Sequence, residues 1–363
     1  MMNIDELLRK AKEIGASDLI LKVPASPLFR VNGKLNKSEH PALTQEVIVE
    51  LAKKVVSEKD WADFERNLEL DIAYKVEGIA RFRVNLFKQR GSLCMVFRLI
   101  PDKIPTIAEL GLPEMCGFLA MRPRGLVLVT GPAGCGKSTT QAALIDHRNS
   151  KEECHIMTVE DPIEFVHFDK RGIVNQRQVG RDTLSFANGL KYVLRQDPDI
   201  ILIGEMRDLE TISLAITAAE TGHLALGTLH TSGAAQTVDR VVNAFPVHQQ
   251  QQIRMQLSIN LVGVVSQLLL ETKDGKGLVA AYEIMLATPA IRNTIREGKT
   301  FMIPQMIQIG SERGMLSMER SISNLVSQGK VDIEEAIRKT PNPDELENIM
   351  PTGTGSMNQT VQA

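Results

Sequence analysis

The run Gly131-Pro132-Ala133-Gly134-Cys135-Gly136-Lys137-Ser138, followed by Thr139, satisfies the P-loop spacing in full. That spacing has a physical purpose. Glycines let successive backbone N–H groups curl around phosphate oxygens, and the helix that follows presents its positive end to them. Lys137 is placed to reach the β and γ oxygens, and the Ser138 hydroxyl to ligate Mg²⁺. The implied ligand is a nucleoside triphosphate. Cys135 within the loop has two readings: a small residue filling the turn, or a thiol whose pKa is lowered by phosphate-binding amides.

Carboxylates follow at two further places. Thr158-Val159-Glu160-Asp161-Pro162-Ile163-Glu164 is acid-rich at the end of an apolar run, where a water or metal beside a P-loop has to be positioned. Ile200-Ile201-Leu202-Ile203-Gly204-Glu205 has the shape of a Walker B segment, except that Gly204 stands where an Asp usually follows the strand. That departure points to Glu205 as the group that polarises an attacking water or holds Mg²⁺ through one. His223 and His230 flank Leu224 to Leu229 and should project from opposite ends of one strand. By residue type alone each reads more readily as a hydrogen-bonded core histidine than as a catalyst. Arg83 and Arg98, on neighbouring predicted strands, read by themselves as surface arginines; in an oligomeric ATPase they would reach the γ-phosphate.

Two different architectures must position these residues. Before residue 100, helical spacing at Ile4, Leu7, Leu8, Ala11 and Ile14 is followed by strands at Ser17–Lys22 and Leu28–Leu35, the latter turned at Asn32-Gly33. A second helix spans Val47–Val56, and strands run over Leu70–Val76, Arg81–Phe87 and Leu93–Leu99. This is a small α+β domain on an antiparallel sheet, 1–100. Three prolines between Pro101 and Pro113 indicate a linker, 101–115. From 116 to 340 buried strands at Leu126–Thr130, Ile156–Val159, Ile200–Ile203 and Leu224–Leu229 alternate with helices, as in a mostly parallel α/β sheet covered on both faces, with helices alone from Thr288. Residues 341–363 carry few large apolar groups and read as a mobile tail.

Composition narrows the function classes. The 363 residues hold 42 Lys and Arg against 44 Asp and Glu, a formal net charge of −2, which argues against a nucleic-acid partner. Aromatic residues are 4%, too few for stacking platforms. No signal peptide or transmembrane run is visible, which implies a cytosolic chain. The four cysteines are scattered without a Cys-x-x-Cys pair and read as single, mostly buried thiols.

Together these segments resemble the secretion ATPase superfamily, and within it the PilT-type pilus retraction ATPases. The resemblance runs from about Gly15 to Ile349 and is carried by 131–139, TVEDPIEFVH (158–167), IVNQRQVGRD (173–182), GEMRDLET (204–211), TAAETGHLALGTLHT (217–231) and AIRNTIREGK (290–299). It implies a homo-hexamer of a PAS-like domain joined to a RecA-like domain, with ATP bound at the domain and subunit boundary. By motif, Glu160 and Glu164 fall in the family's Asp box and Glu205 is its Walker B glutamate. His223 and His230 fall in its His box, with His230 sensing the γ-phosphate, and Arg83 and Arg98 resemble its nucleotide-contacting arginines. The implied activity is ATP hydrolysis that powers pilin depolymerisation and twitching motility. The implied partners are the pilus machinery and its inner-membrane platform protein, approached from the cytoplasm. Alternatives are a PilU-type accessory ATPase or, in another class, a nucleotide-binding regulator or nucleic-acid translocase. Assembly ATPases fit less well, because they carry an additional N-terminal domain and generally a four-cysteine zinc insertion. Three positions depart from the family: Ile20 for a common His, Gln236 for a usual Lys, and Thr294 for the Leu of the AIRN-type signature. The signature helix is expected to pack between subunits or against a partner, where Leu→Thr loses about 1–2 kcal/mol of apolar burial.

Overall fold

A computed structural model describes residues 2–31, 33–100 and 103–349. The chain divides into two units, Met1–Lys103 and Ile104–Ala363.

The first unit is built on six strands: β1 (Asp18–Lys22), β2 (Leu28–Val31), β3 (Lys34–Lys37), β4 (Glu69–Val76), β5 (Ala80–Gln89) and β6 (Ser92–Ile100). Their order is β3-β2-β1-β6-β5-β4, with every pair antiparallel. Along β5 buried Ala80, Phe82, Val84 and Leu86 alternate with half-buried Arg81, Arg83 and Asn85. The period of two puts one face into a core and leaves the other polar. The core is completed by α1 (Ile4–Glu13), α2 (Gln45–Val55) and α3 (Glu58–Asn67), which contribute Leu8, Ile48 and Phe64. Ser57 caps α3 by accepting from the Asp60 N–H, and Leu68 ends it with a positive φ of 63°. Asn32 of the Asn32-Gly33 turn lies outside the described residues, but β2 and β3 pair across it in a tight hairpin, Val31 opposite Lys34.

In the second unit, α4 (Glu114–Ala120) leads to β7 (Gly125–Thr130), and the P-loop then enters α5 (Lys137–Lys151). Next come β8 (His155–Glu160), β9 (Ile173–Gln178), α6 (Phe186–Val193), β10 (Ile200–Ile203), α7 (Leu209–Glu220) and β11 (Leu224–Leu229). After α8 (Ala234–Asn243) and α9 (Val247–Asn260), a pair of long strands follows, β12 (Leu261–Glu271) and β13 (Leu278–Leu286). The chain continues through α10 (Pro289–Glu297), α11 (Ile303–Ile309), α12 (Met318–Ser327), α13 (Ile333–Lys339) and α14 (Pro343–Ile349). The sheet order is β13-β12-β7-β11-β10-β8-β9, parallel except for β13 against β12. Every residue of β7 and β11 is buried, as expected for central strands covered on both faces.

Three readings of the sequence change. The linker 101–115 is not a free connection. Ile107 and Leu110 pack on the second unit's core, Leu112 is buried there, and the Tyr282 hydroxyl donates to the Leu110 carbonyl at 3.4 Å. Residues 103–113 form no helix or strand yet bury apolar side chains, and α4 starts at Glu114 directly after Pro113. The tail from 341 begins with a helix, α14, whose single buried apolar side chain, Leu346, joins a core with Met318 and Ile322; residues 350–363 lie outside the described residues. Finally, Thr294 of α10 is only 4% exposed within its own chain. Its hydroxyl donates to the Ala290 carbonyl at 3.0 Å and meets the Met306 sulfur at 3.4 Å. This position therefore faces α11 rather than a partner, and the hydroxyl is satisfied inside the helix.

Candidate active site

The parallel strands β7, β8, β10 and β11 all point their C-terminal ends to one edge of the sheet, which is where open α/β sheets bind ligands. A cleft of about 340 Å³ lies there. Ala133, Gly134, Gly136, Lys137, Ser138 and Thr139 line one wall. Gly136, at φ 88°, caps α5 in the left-handed region and turns the loop into the helix.

Lys137 is the centre of the geometry. Its ammonium donates to the Gly131 and Pro132 carbonyls, both at 2.9 Å, and lies 3.3 Å from His230 Nδ1. His230 Nε2 in turn stands 2.9 Å from Glu205 Oε1. The P-loop lysine, the histidine after β11 and the glutamate after β10 thus form one continuous polar chain. Arg207 Nε completes it with a 2.6 Å ion pair to the same Glu205 oxygen. Burial pushes the Glu205 carboxyl up, but the Arg207 hydrogen bond and charge, together with His230, outweigh that and hold it below the usual carboxylate value. Glu205 is therefore an anion at neutral pH, able to accept a hydrogen bond from a water in the cleft.

Glu160 has the opposite environment. Desolvation raises its pKa and neighbouring Glu164 adds to the rise, against hydrogen bonds from Thr158 Oγ1 at 2.6 Å and Gln176 Nε2 at 3.0 Å. Both Glu160 and Glu164 line the cleft. Two carboxylates with pKa values pushed apart, Glu160 up and Glu205 down, form a pattern associated with division of acid and base roles. The glycine in place of the Walker B Asp also gains a reason. A Cβ on Gly204 would stand 3.2 Å from both Glu160 Cα and the Val159 carbonyl, so a side chain there is tight and the β8 backbone would have to give by a few tenths of an ångström.

Other predicted residues fall elsewhere. His223 precedes β11, at the opposite end of the strand from His230, and bonds locally to the Ala218 carbonyl at 3.0 Å and Thr221 Oγ1 at 3.1 Å. It does not line the cleft. Cys135 is buried and does not line the cleft, and desolvation raises its pKa in spite of nearby Lys137. The lowered-pKa reading is corrected, because at this position burial outweighs the positive charge. All four cysteines are buried free thiols. In the first unit, Arg83 and Arg98 are directly opposed across β5 and β6 on the polar face. Like charges so placed repel; Asp71, 3.4 Å from Arg83 Nε, and Asp18, 2.9 Å from Arg98 Nε, offset them.

Arg207, Gln176 and His167 are additional groups that residue spacing alone does not single out. Arg207 lies two residues past Glu205, inside the GEMRDLET segment, which carries the family resemblance without assigning this residue a role. His167 lines the cleft with its pKa driven down to about 4, chiefly by burial, so it is a neutral imidazole there. Among the described residues no helix is long and apolar enough to cross a membrane, and no cluster of three or more His, Cys, Asp or Glu is arranged to hold a metal ion.

Comparison with known proteins agrees with this geometry. The chain is 49% identical over 94% of its length to the type IV pilus retraction ATPase PilT of Pseudomonas aeruginosa, covering 99% of that protein. It is 40% identical over 98% of its length to the type IV pilus ATPase PilU of the same organism, covering 93% of that chain. A crystal structure of the pilus retraction motor PilT with bound ADP superposes with a TM-score of 0.91 at 45% identity, covering 96% of this chain and all of that one. The model of the type II/IV secretion system protein family matches residues 2–338, and the chain belongs to that family.

Proposed function

We propose that this chain is an ATP-hydrolysing motor that powers type IV pilus retraction. The observation that carries the proposal is the continuous contact from Lys137 through His230 to Glu205 above the P-loop. The Lys137 ammonium donates to loop carbonyls; phosphate oxygens compete for the same ammonium, so nucleotide binding draws Lys137 from the loop and alters the partner that His230 sees. His230 is the γ-phosphate sensor in this reading, and Glu205 the base that orients and deprotonates the attacking water. Glu160, whose pKa is raised, and Glu164 order the water on the facing wall. The cleft's oxygen and nitrogen donors include no thiol or thioether, which suits Mg²⁺ brought with ATP. The Ser138 hydroxyl would hold the ion, which neutralises charge on the phosphates.

Arg83 and Arg98 extend the proposal as nucleotide-contacting guanidiniums: the Arg83–Asp71 pair is exposed on both sides, and Arg98 is itself exposed and shares the buried Asp18 with Arg30, so either guanidinium can exchange partners. His223, remote from the cleft in its own chain, is assigned a role outside phosphate contact. The working unit is a homo-hexamer acting at the cytoplasmic face of the inner membrane on the pilus platform protein, without nucleic acid. The higher identity to PilT than to PilU favours the primary motor over the accessory one.

Expression of the chain in a twitching-deficient strain lacking its retraction motor tests the role. Restored twitching, lost again with Lys137→Ala, supports it. No restoration by a well-expressed chain that hydrolyses ATP would overturn the retraction role while leaving the chemistry intact.

A further inference from the structure

Gln267, on β12, is 3% exposed and sits directly beneath the P-loop. Its side-chain amide bridges two parts of the phosphate site. The Nε2 group donates to the Cys135 carbonyl, and Oε1 accepts from the Thr140 hydroxyl on the first turn of α5 at 2.8 Å. The orientation of the amide is fixed by chemistry. A backbone carbonyl can only accept, so the NH₂ must face Cys135, and the oxygen is left for the hydroxyl. The backbone of Gln267 closes the contact at the other end of the loop: a Cβ on Gly131 would stand 2.3 Å from the Gln267 carbonyl oxygen.

We propose that Gln267 is a positioning residue for phosphate binding, one that aims the Gly136 N–H into the cleft. The reason is peptide geometry. In the trans peptide joining Cys135 to Gly136, C=O and N–H point in opposite directions. Holding the carbonyl down on β12 therefore turns the N–H up, toward the wall that Gly136 lines. A loop whose N–H groups are aimed in advance loses no affinity to reorganisation when phosphate arrives. Nothing in the P-loop spacing itself specifies this residue; it lies 132 positions away in sequence.

The inference rests on the nucleotide site proposed above and is tested in the full chain with a fluorescent ADP analogue and steady-state ATP hydrolysis. Gln267→Leu removes both bonds. Gln267→Met keeps the length and burial of the side chain but can neither donate to Cys135 nor accept from Thr140, so it serves if the leucine variant fails to fold. Each should weaken ADP binding at least about tenfold and raise KM for ATP correspondingly, with kcat retained within about threefold, because the aimed N–H acts on ground state and transition state alike. Thr140→Val, which spares the Cys135 bond, should weaken ADP less than either. A purely structural role would instead lower the melting temperature and kcat with KM unchanged, and that result, or parent-like ADP affinity in Gln267→Met, would overturn the proposal. A parent chain that binds no ADP would instead overturn the nucleotide site itself.

Discussion

Two glycines of the P-loop provide a sharp test of how the loop is held. Gly131 adopts φ +144°, and an added Cβ would lie 2.3 Å from the Gln267 carbonyl oxygen and 2.6 Å from the Cys135 sulfur. Gly134 adopts φ +75° with nothing within 4 Å of such a Cβ. Alanine at Gly134 should therefore pay only for its left-handed backbone, about 1–2 kcal/mol. Alanine at Gly131 incurs backbone strain of about 1–3 kcal/mol. It must also push the loop off β12, which breaks the Gln267–Cys135 hydrogen bond for about 1 kcal/mol more. The sum is about 2–4 kcal/mol, and the excess over Gly134→Ala should be about 1–2 kcal/mol. Urea unfolding of the nucleotide-free chain, monitored so that the second unit's transition is resolved, measures both. Equal destabilisation of the two variants, or less for Gly131→Ala, would refute the claim that the loop rests directly on β12.

Further outcomes follow from the same geometry. Arg207→Ala removes the principal group that holds Glu205 ionised, so the acid limb of the ATPase pH profile should move to higher pH; an unmoved limb would remove Arg207 from the site. Glu283 accepts the Ala234 N–H at 2.6 Å, and its pKa is pushed up to about 7 by burial, against that bond and aided by Glu319 and Glu345. A carboxyl with a raised folded pKa stabilises fully below its ordinary 4.5 and loses that contribution as pH rises through about 7. Glu283→Gln should consequently gain in melting temperature relative to the parent between pH 5 and pH 8, and a constant difference would contradict the burial argument. His223→Ala should leave ADP affinity within about threefold of the parent, a change far smaller than that in Lys137→Ala; equal losses would place His223 in the phosphate site. Phe97→Ala, in the core of the first unit, should cost about 3–5 kcal/mol in unfolding free energy, and a loss below about 1 kcal/mol would show that core to be loosely packed.

What the sequence makes legible and what it hides follow physical lines. The P-loop is readable because phosphate binding demands particular backbone conformations, and only glycines at set positions supply them. The central strands β7, β10 and β11 are readable as short apolar runs. By contrast Leu261–Leu270 shows only as an apolar stretch too short to span a membrane. It is the long strand β12, between β7 and β13, with consecutive residues from Gly263 to Gln267 buried on both faces, so no period of two marks it. Edge strand β9, Ile-Val-Asn-Gln-Arg-Gln, is missed for the opposite reason: it is too polar to signal a core. Helix α3 escapes because Phe64 is its single fully buried side chain. Within the site, the individual residues are named by spacing and resemblance, but their convergence is not. Lys137 and His230 are 93 positions apart, and only the order of parallel strands brings them together. Residues that support others, such as Gln267 and Arg207, carry no spacing signal because their partners lie in the fold rather than along the chain.

The central claim is that the Lys137–His230–Glu205 chain performs ATP hydrolysis. Phosphate release from ATP, measured on the parent and on Glu205→Gln after both are shown to bind ADP equally, tests it most directly. The account predicts turnover by the parent and a loss of at least about a hundredfold in Glu205→Gln, in the range expected for removing a general base. Parent-like turnover in Glu205→Gln, or no turnover by a parent that binds ADP, would contradict it.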